Sequence, residues 1–404
     1  MERLIFHVDV NSAFLSWTSV KRLANGLSDL RLVPSVIGGE AGTRSGIVLA
    51  KSIPAKQFRI ETAEPVSLAL RKCPGLVVEP PDFRWYLECS KAFKDICRSY
   101  APAVQEYSID ECFLDMTGTG LLYPDPVKTA YEIKDKIKNT LGFTVNIGIG
   151  PNKLLAKMAG DFEKPDKVHT LFRDEIPTKM WPLPVKDLLY CGKSSAERLN
   201  TGGIYTIGEL AAADLTNLKK LMGDKGADFL HRYANGIDDS EVSEEYGDAK
   251  SYSIVTTEEE DISDYACADR LLLGLTDRVS KRLRRDGMRT TCISVTVRYL
   301  DFKTRSHQRK LTEPTDISVE IYEVGKQLLR SLWDGKTPLR LIGIALSDVT
   351  KEDITQLSLF PEENEKREKR QKMDRTMDDI LDRFGKGSLK RGSGIRPKDG
   401  RNEK

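Results

Sequence analysis

Three carboxylates end or interrupt strand-like runs. Gln105-Glu106-Tyr107-Ser108-Ile109-Asp110-Glu111-Cys112-Phe113-Leu114-Asp115 carries the adjacent pair Asp110 and Glu111. Leu4-Ile5-Phe6-His7-Val8-Asp9-Val10-Asn11-Ser12-Ala13-Phe14 ends its apolar stretch on Asp9. Acidic residues are disfavoured inside strands, so placing them there costs stability and points to use. The commonest use of clustered carboxylates is a hard divalent cation. Neighbouring side chains on a strand point to opposite faces, so Asp110 and Glu111 share a site only if the backbone twists or bulges there. Alone, the Asp110-Glu111 pair also fits a solvated hairpin turn, and Asp9 reads first as a solvated strand cap. Together, two apolar strands that each deliver acid at their ends suggest a carboxylate cluster on one edge of a sheet. Such a cluster can hold two Mg²⁺ ions for in-line displacement at a phosphate.

The elements that must carry this cluster are readable in order. The chain has 404 residues, enough for two to four domains and a sizeable core. Hydrophobic residues make up 39% and charged residues 31%, a soluble globular balance. No apolar run approaches a transmembrane length, and no basic-then-apolar leader opens the chain. Seven cysteines without a C-x-x-C pair argue against zinc and against a disulfide framework, and suggest a reducing cytoplasm. After the first strand, Phe83-Arg84-Trp85-Tyr86 opens a helix with Cys89, Ala92, Phe93 and Ile96 at core spacing. The spacing predicts an amphipathic helix over Val127–Leu141 and a buried strand over Phe143–Gly150. The resulting β-α-β-β-α-β order is ferredoxin-like, a fold that by itself allows many functions.

Phe6-His7-Val8-Asp9-Val10-Asn11-Ser12-Ala13-Phe14 and Tyr107-Ser108-Ile109-Asp110-Glu111 resemble the two catalytic motifs of Y-family translesion DNA polymerases. The bacterial branch containing polymerase IV and UmuC is closest in pattern, and the resemblance runs from residue 4 to about 360. It implies an α+β multidomain right-hand polymerase: a ferredoxin-like palm, small fingers, a helical thumb with a helix-hairpin-helix, and a C-terminal α+β little finger. It implies that Asp9, Asp110, Glu111 and the Val10 carbonyl hold two Mg²⁺ ions. It implies that Phe14 is the steric gate that excludes a ribose 2′-hydroxyl, although a plain core aromatic fits the residue equally. Lys164, before Pro165, matches the lysine that contacts the triphosphate, where neutralising a leaving pyrophosphate is useful. Lys153 and Lys157 lie near it on a helix start that also reads as a solvated basic face. The family's Tyr and Arg triphosphate contacts stand here as Ile53 and Lys56; Lys56 keeps charge but not a planar fork. Ile47 and Leu49 read either as a roof over the nascent base pair or as strand core.

The family order sets expected boundaries: palm 1–10 and 76–165, fingers 11–75, thumb 166–233, linker 234–250, little finger 251–350 and tail 351–404. In the thumb, Leu188 to Leu199 resembles a helix-hairpin-helix whose Gly192 and Lys193 would meet a DNA phosphate, but the first hairpin glycine stands as Tyr190. From Arg270 to Lys310 there are twelve Lys and Arg against three Asp and Glu, a local net of +9. Such a stripe can track a phosphate backbone, with Arg298, Lys303, Arg305 and Arg309 as candidates; a solvated basic helix with incidental loop charge is the other reading. Overall the net charge is only +2. Gln356-Leu357-Ser358-Leu359-Phe360 sets apolar residues in a polar tail and resembles the pentapeptide that bacterial polymerases insert into the sliding clamp. Gln356 would be the polar anchor and Leu357, Leu359 and Phe360 the apolar ones. Residues 362–385 read as a charged helix, and the basic end after Lys386 is expected to be disordered.

The expected function is therefore error-prone, translesion DNA synthesis without proofreading. A cytoplasmic monomer would act on primed template DNA and dNTPs, with a sliding clamp as partner and no membrane. Two other classes stay open on sequence. One is a clamp- and DNA-binding accessory factor that has lost catalysis, favoured only by Ile53 and Lys56. The other is a palm-fold cyclase, opposed by the hairpin domain, the basic second domain and the clamp-like peptide.

Overall fold

β1 (Ile5–Val10) is buried along its whole length because it lies in the middle of a five-stranded sheet. The fold is that of a computed structural model, which describes residues 3–40, 43–44, 46–245, 247–351, 361–385 and 388–389. The chain divides into two units, Met1–Tyr246 and Gly247–Lys404.

In the first unit, α1 (Ala13–Ala24) leads from β1 to a separate three-stranded sheet. There β2 (Ser35–Gly38) pairs antiparallel with β3 (Val48–Lys51). The short α2 (Ile53–Lys56) starts with Pro54 in its first turn, and Ser52 Oγ accepts from Ala55 N at 3.1 Å. After α3 (Val66–Lys72), β4 (Val77–Glu79) pairs parallel with β2. The boundary expected at residue 76 therefore moves past Glu79, since β4 satisfies its backbone on β2 rather than on the five-stranded sheet. Val48 is the buried residue of this edge; Ile47 is exposed, which overturns its reading as strand core.

The chain then completes the β-α-β-β-α-β unit with α4 (Phe83–Arg98), β5 (Ala103–Glu106), β6 (Glu111–Asp115), α5 (Pro126–Leu141) and β7 (Val145–Gly150). Asp82 and Asp125 cap the two helices by accepting from Trp85 N and Lys128 N, each cap contributing about 1 kcal/mol. Tyr86, Phe93, Ile133 and Ile137 of these helices pack on Phe6, Val8, Leu114 and Ile147. Alternation sends Ile5, His7 and Asp9 to the opposite face. That face receives α6 (Lys153–Gly160), capped by Asn152 Oδ1 accepting from Leu155 N at 2.8 Å. Gly148 permits the approach: a Cβ there would lie 2.0 Å from the Ala156 carbonyl oxygen. β8 (Val168–Thr170) then adds parallel to β7, giving the order β5-β6-β1-β7-β8. It takes residues that the sequence assigned to the thumb.

Four helices follow: α7 (Lys193–Thr201), α8 (Ile207–Ala212), α9 (Leu215–Met222) and α10 (Asp224–Ala234). Their core includes Leu154, Leu155 and Met158, so one side of α6 serves this lobe while the other serves the sheet. The stretch expected as a linker is docked over much of its length. Val242 packs on Ile5, Phe113 and Ala156, and Glu244 Oε1 accepts from Val104 N at 3.0 Å.

The second unit has four antiparallel strands in the order β11-β10-β12-β9. They are β9 (Ser251–Ile262), β10 (Arg289–Tyr299), β11 (Thr304–Thr315) and β12 (Leu339–Thr350), with α11 (Tyr265–Arg285) and α12 (Ser318–Leu332) packed on one face. A last helix, α13 (Pro361–Phe384), docks through a polar stripe. Asp374, 1% exposed, accepts from Ser318 N at 2.8 Å at the start of α12. Arg284 Nε donates to Asp378 Oδ2 at 2.7 Å, and Lys281 pairs with Asp382 at 2.6 Å. Two α11 cations counted in the basic stripe, Lys281 and Arg284, thus face carboxylates of the same unit.

Candidate active site

Strand register decides which carboxylates share a face. Asp9 is the partner of Glu111 on β6 and of Asn146 on β7, so their side chains rise on the side that α6 covers. Asp110 is not in the strand. It sits in the bend before β6, where Tyr107 N and Ser108 N both donate to the Glu111 carbonyl, at 3.0 and 3.2 Å. Alternation therefore does not separate the adjacent acids. α4 fixes this bend from below: Ser90 Oγ donates to the Ile109 carbonyl at 2.5 Å, and buried Lys94 Nζ donates to the Ser108 carbonyl at 2.7 Å. Lys94 Nζ also pairs with Glu106 at 2.9 Å. Val10 N donates to the Asp110 carbonyl at 3.0 Å, locking the bend to the end of β1.

Each carboxylate has its own partner. Lys164 Nζ donates to Asp9 Oδ2 and pairs with Asp161 at 2.8 Å. Ser108 Oγ donates to Asp110 Oδ1 at 2.6 Å. Glu111 Oε2 takes His7 Nε2 at 2.9 Å and Lys157 Nζ. Burial pushes the Asp9 carboxyl above its ordinary value, and Lys164 offsets only part of this. Burial acts the same way on Glu111, but His7 and Lys157 outweigh it and bring that carboxyl down to about 2. Lys164 is desolvated too, yet Asp9 and Asp161 hold its pKa above the usual lysine value. Among the described residues, no three His, Cys, Asp or Glu side chains are gathered as a metal-binding group. The groups expected to bind metal, three carboxylates and the Val10 carbonyl, offer only oxygen, which suits a hard cation such as Mg²⁺.

The other expected residues of the unit lie on α1, on α2 and at the start of α7. Phe14, half-buried on α1, stacks on Tyr86 with ring centroids 4.8 Å apart and meets Phe83 edge-on at 5.8 Å. Lys56 is exposed at the end of α2, and Ile53 is 56% exposed beside it. Gly192 precedes α7 and Lys193 is its first residue, both exposed. The first arm of this hairpin is a single 3₁₀ turn, Val185–Asp187, rather than a helix. Tyr190 has φ +65°, the left-handed conformation a hairpin glycine would take, and its hydroxyl lies 2.9 Å from that of Tyr107.

The basic candidates of the second unit divide between two faces. Arg305 and Arg309 are partners of Val297 and Ile293, which belong to the core, so they lie on the helical side; Arg309 Nη1 donates to Gln327 of α12 at 2.5 Å. Arg298 points to the open side, beside Ser294 and Thr296, and donates to Thr304 Oγ1 at 3.0 Å. Lys303 pairs with Asp301 at 2.9 Å at the hairpin tip. A single stripe over all four is thus not what the register gives. Lys310, not singled out by sequence, joins Arg298 on the open face. The Gln356, Leu357, Leu359 and Phe360 peptide and most of the basic end lie outside the described residues.

His7, Lys157, Ser90 and Lys94 contact the carboxylates or their bend, and sequence reading gave them no role. For His7 the signal was present: it lies two residues before Asp9 on one strand face. Lys94 gave the opposite signal, a charge on the buried side of an amphipathic helix.

Comparison with known proteins bears on the whole chain. Residues 8–161 match the model of the impB/mucB/samB family, and residues 249–359 that of its C-terminal domain. The chain is 43% identical to a DNA polymerase IV of Clostridium acetobutylicum, over 97% of this chain and 98% of that one. It is 36% identical to DNA polymerase IV 2 of Bacillus subtilis, over 98% and 95%. A solved Y-family DNA polymerase chimera of Dbh and Dpo4 matches its fold with a TM-score of 0.73, at 21% identity, over 86% of this chain and 100% of that one.

Proposed function

The chain belongs to the impB/mucB/samB family and is a Y-family DNA polymerase of the translesion type, and on that premise we propose how its residues divide the work. Asp9, Asp110 and Glu111, with the Val10 carbonyl, hold two Mg²⁺ ions. The observation that carries this is the Asp9–Glu111 cross-strand register with Asp110 pinned beside it. Held by these groups, the ions would make the primer 3′-hydroxyl a better nucleophile and neutralise charge on the triphosphate. The protein's own part is to fix the ligands before substrate arrives. Ser90 and Lys94 hold the bend, and His7 and Lys157 keep Glu111 ionised. Lys164 meets the triphosphate, with Lys56 adding charge at the mouth. Phe14, backed by Tyr86, presses on the sugar and selects deoxynucleotides.

The same reading assigns primed template DNA to the backbone at Gly192 and Lys193 and to Arg298, Lys303, Arg305 and Arg309. Gln356, Leu357, Leu359 and Phe360 dock into a sliding clamp, and the working form is a cytoplasmic monomer. Among the described residues no helix is long and apolar enough to cross a membrane, and all seven cysteines are free. The cyclase alternative falls with the family.

The deciding experiment is primer extension with dNTPs and Mg²⁺, comparing the wild type with Asp110→Ala. Extension by the wild type, lost in the variant while primed DNA still binds, supports the assignment. Equal extension by both removes Asp110 from the metal site.

A further inference from the structure

Lys164 lies in the turn that joins α6 to β8. Two buried amide side chains tie this turn to the sheet. Asn146, 0% exposed, donates through Nδ2 to the carbonyls of Gly160 at 3.1 Å and Glu163 at 2.7 Å. Its Oδ1 accepts from Lys167 N at 3.3 Å and from Asn11 Nδ2 at 3.0 Å. Asn11 Oδ1 in turn accepts from Asp166 N and Thr144 Oγ1, both at 2.9 Å. Four backbone groups between residues 160 and 167 are thus held by two side chains. The orientation of both amides is forced. Two carbonyls need the donor end of Asn146, so its oxygen must face Asn11, which fixes Asn11 as well. Outside the pair, Lys134 and Lys138 grip Asp166 at 2.8 Å each.

We propose that Asn146 is a positioning residue for the incoming nucleotide: through Asn11 and the 160–167 turn it sets where the Lys164 ammonium stands relative to Asp9. Asn146 touches no substrate. It is the β7 partner of Asp9, so the strand that carries it also registers the metal-site carboxylate. One buried amide therefore links the strand beside Asp9 to the turn that carries Lys164. A buried carbonyl left without its donor is costly, so the turn shifts to find another partner rather than stay in place. A shift of about 1 Å in a positioning group can cost about a hundredfold in rate.

This rests on the triphosphate role of Lys164, and the test separates the two claims. Asn146→Leu keeps the branched shape, though it is bulkier, and deletes the amide; Asn146→Ser is smaller, keeps one donor and guards against a folding failure. Each is measured for dNTP KM and kcat in primer extension, alone and combined with Lys164→Ala, with the Kd for primed DNA and the thermal midpoint as controls. The expected result is a KM raised about tenfold by Asn146→Leu and less by Asn146→Ser, a smaller change in kcat, and little further rise when either is added to Lys164→Ala. If Lys164→Ala leaves KM unchanged, the role of Lys164 is wrong. If Lys164→Ala raises KM and the Asn146 variants add their full effect on top, the positioning claim is overturned. An unchanged KM in both Asn146 variants overturns it too.

Discussion

The five-stranded and four-stranded sheets start from one pattern and finish differently. Each packs two helices on an apolar face, α4 and α5 on Phe6, Val8 and Ile147, α11 and α12 on Ile293, Val295 and Val297. Each turns polar residues to the other side. On the first sheet that side is closed by α6 and the 160–167 turn, so His7, Asp9 and Asn146 are buried. On the second, Ser253, Val255, Ser294, Thr296, Arg298, Ser306, Gln308 and Gly343 lie on a face where no helix packs among the described residues. A closed polar face lowers the local dielectric, shifts pKa values and holds geometry, which chemistry at a phosphate needs. An open face leaves charges screened and mobile, which suits sequence-independent grip on a polyanion.

The contrast can be broken most sharply at Asp9. Asp9→Asn keeps the shape and removes a buried charge; primer extension is expected to fall at least about 10³-fold, the several kcal/mol a metal site supplies, while primed-DNA binding changes little. Near-normal extension would mean that the closed face is not the reacting one.

A moderate effect is expected in acid. The Glu111 carboxyl is held at about 2, below its ordinary 4.5, so its ionised form stabilises the fold above pH 4.5. That contribution is lost as pH falls from 4.5 towards 2. Urea midpoints across this window should fall less steeply in Glu111→Gln than in the wild type; parallel curves would show that His7 and Lys157 do not hold the charge.

The smallest effect belongs to the open face. Arg298→Ala should reduce the salt slope of primed-DNA binding by about one and leave low-salt extension nearly intact. Arg309→Ala, tied to Gln327 on the helical side, should change the slope less. Equal slopes for the two would erase the distinction between the faces.

The motifs themselves were plain in sequence. Asp9 ends an apolar run, Asp110 and Glu111 interrupt a strand-like one, and the β-α-β-β-α-β order follows from alternation and helical spacing. Less legible was anything set by partners far along the chain. α13 docks through Arg367, Gln371, Asp374 and Asp378, a polar stripe without apolar periodicity, so in sequence it reads as a charged helix with no sign of a docking face. Arg305 and Arg309 looked equivalent to Arg298, because alternation separates the faces of a strand without saying which one a helix will cover.

Sequence by itself determined the residue types at the site, the strands and helices that carry them and the family, because these depend on local spacing and side-chain chemistry. Tertiary structure alone decided which partner each charge takes: Lys157 on Glu111, Lys164 on Asp9, Asn146 on a turn fourteen and more residues away. Those pairings arise only when register places β1, β6 and β7 side by side and Gly148 lets α6 close over them, for burial forces each polar group to find a partner wherever the fold brings one.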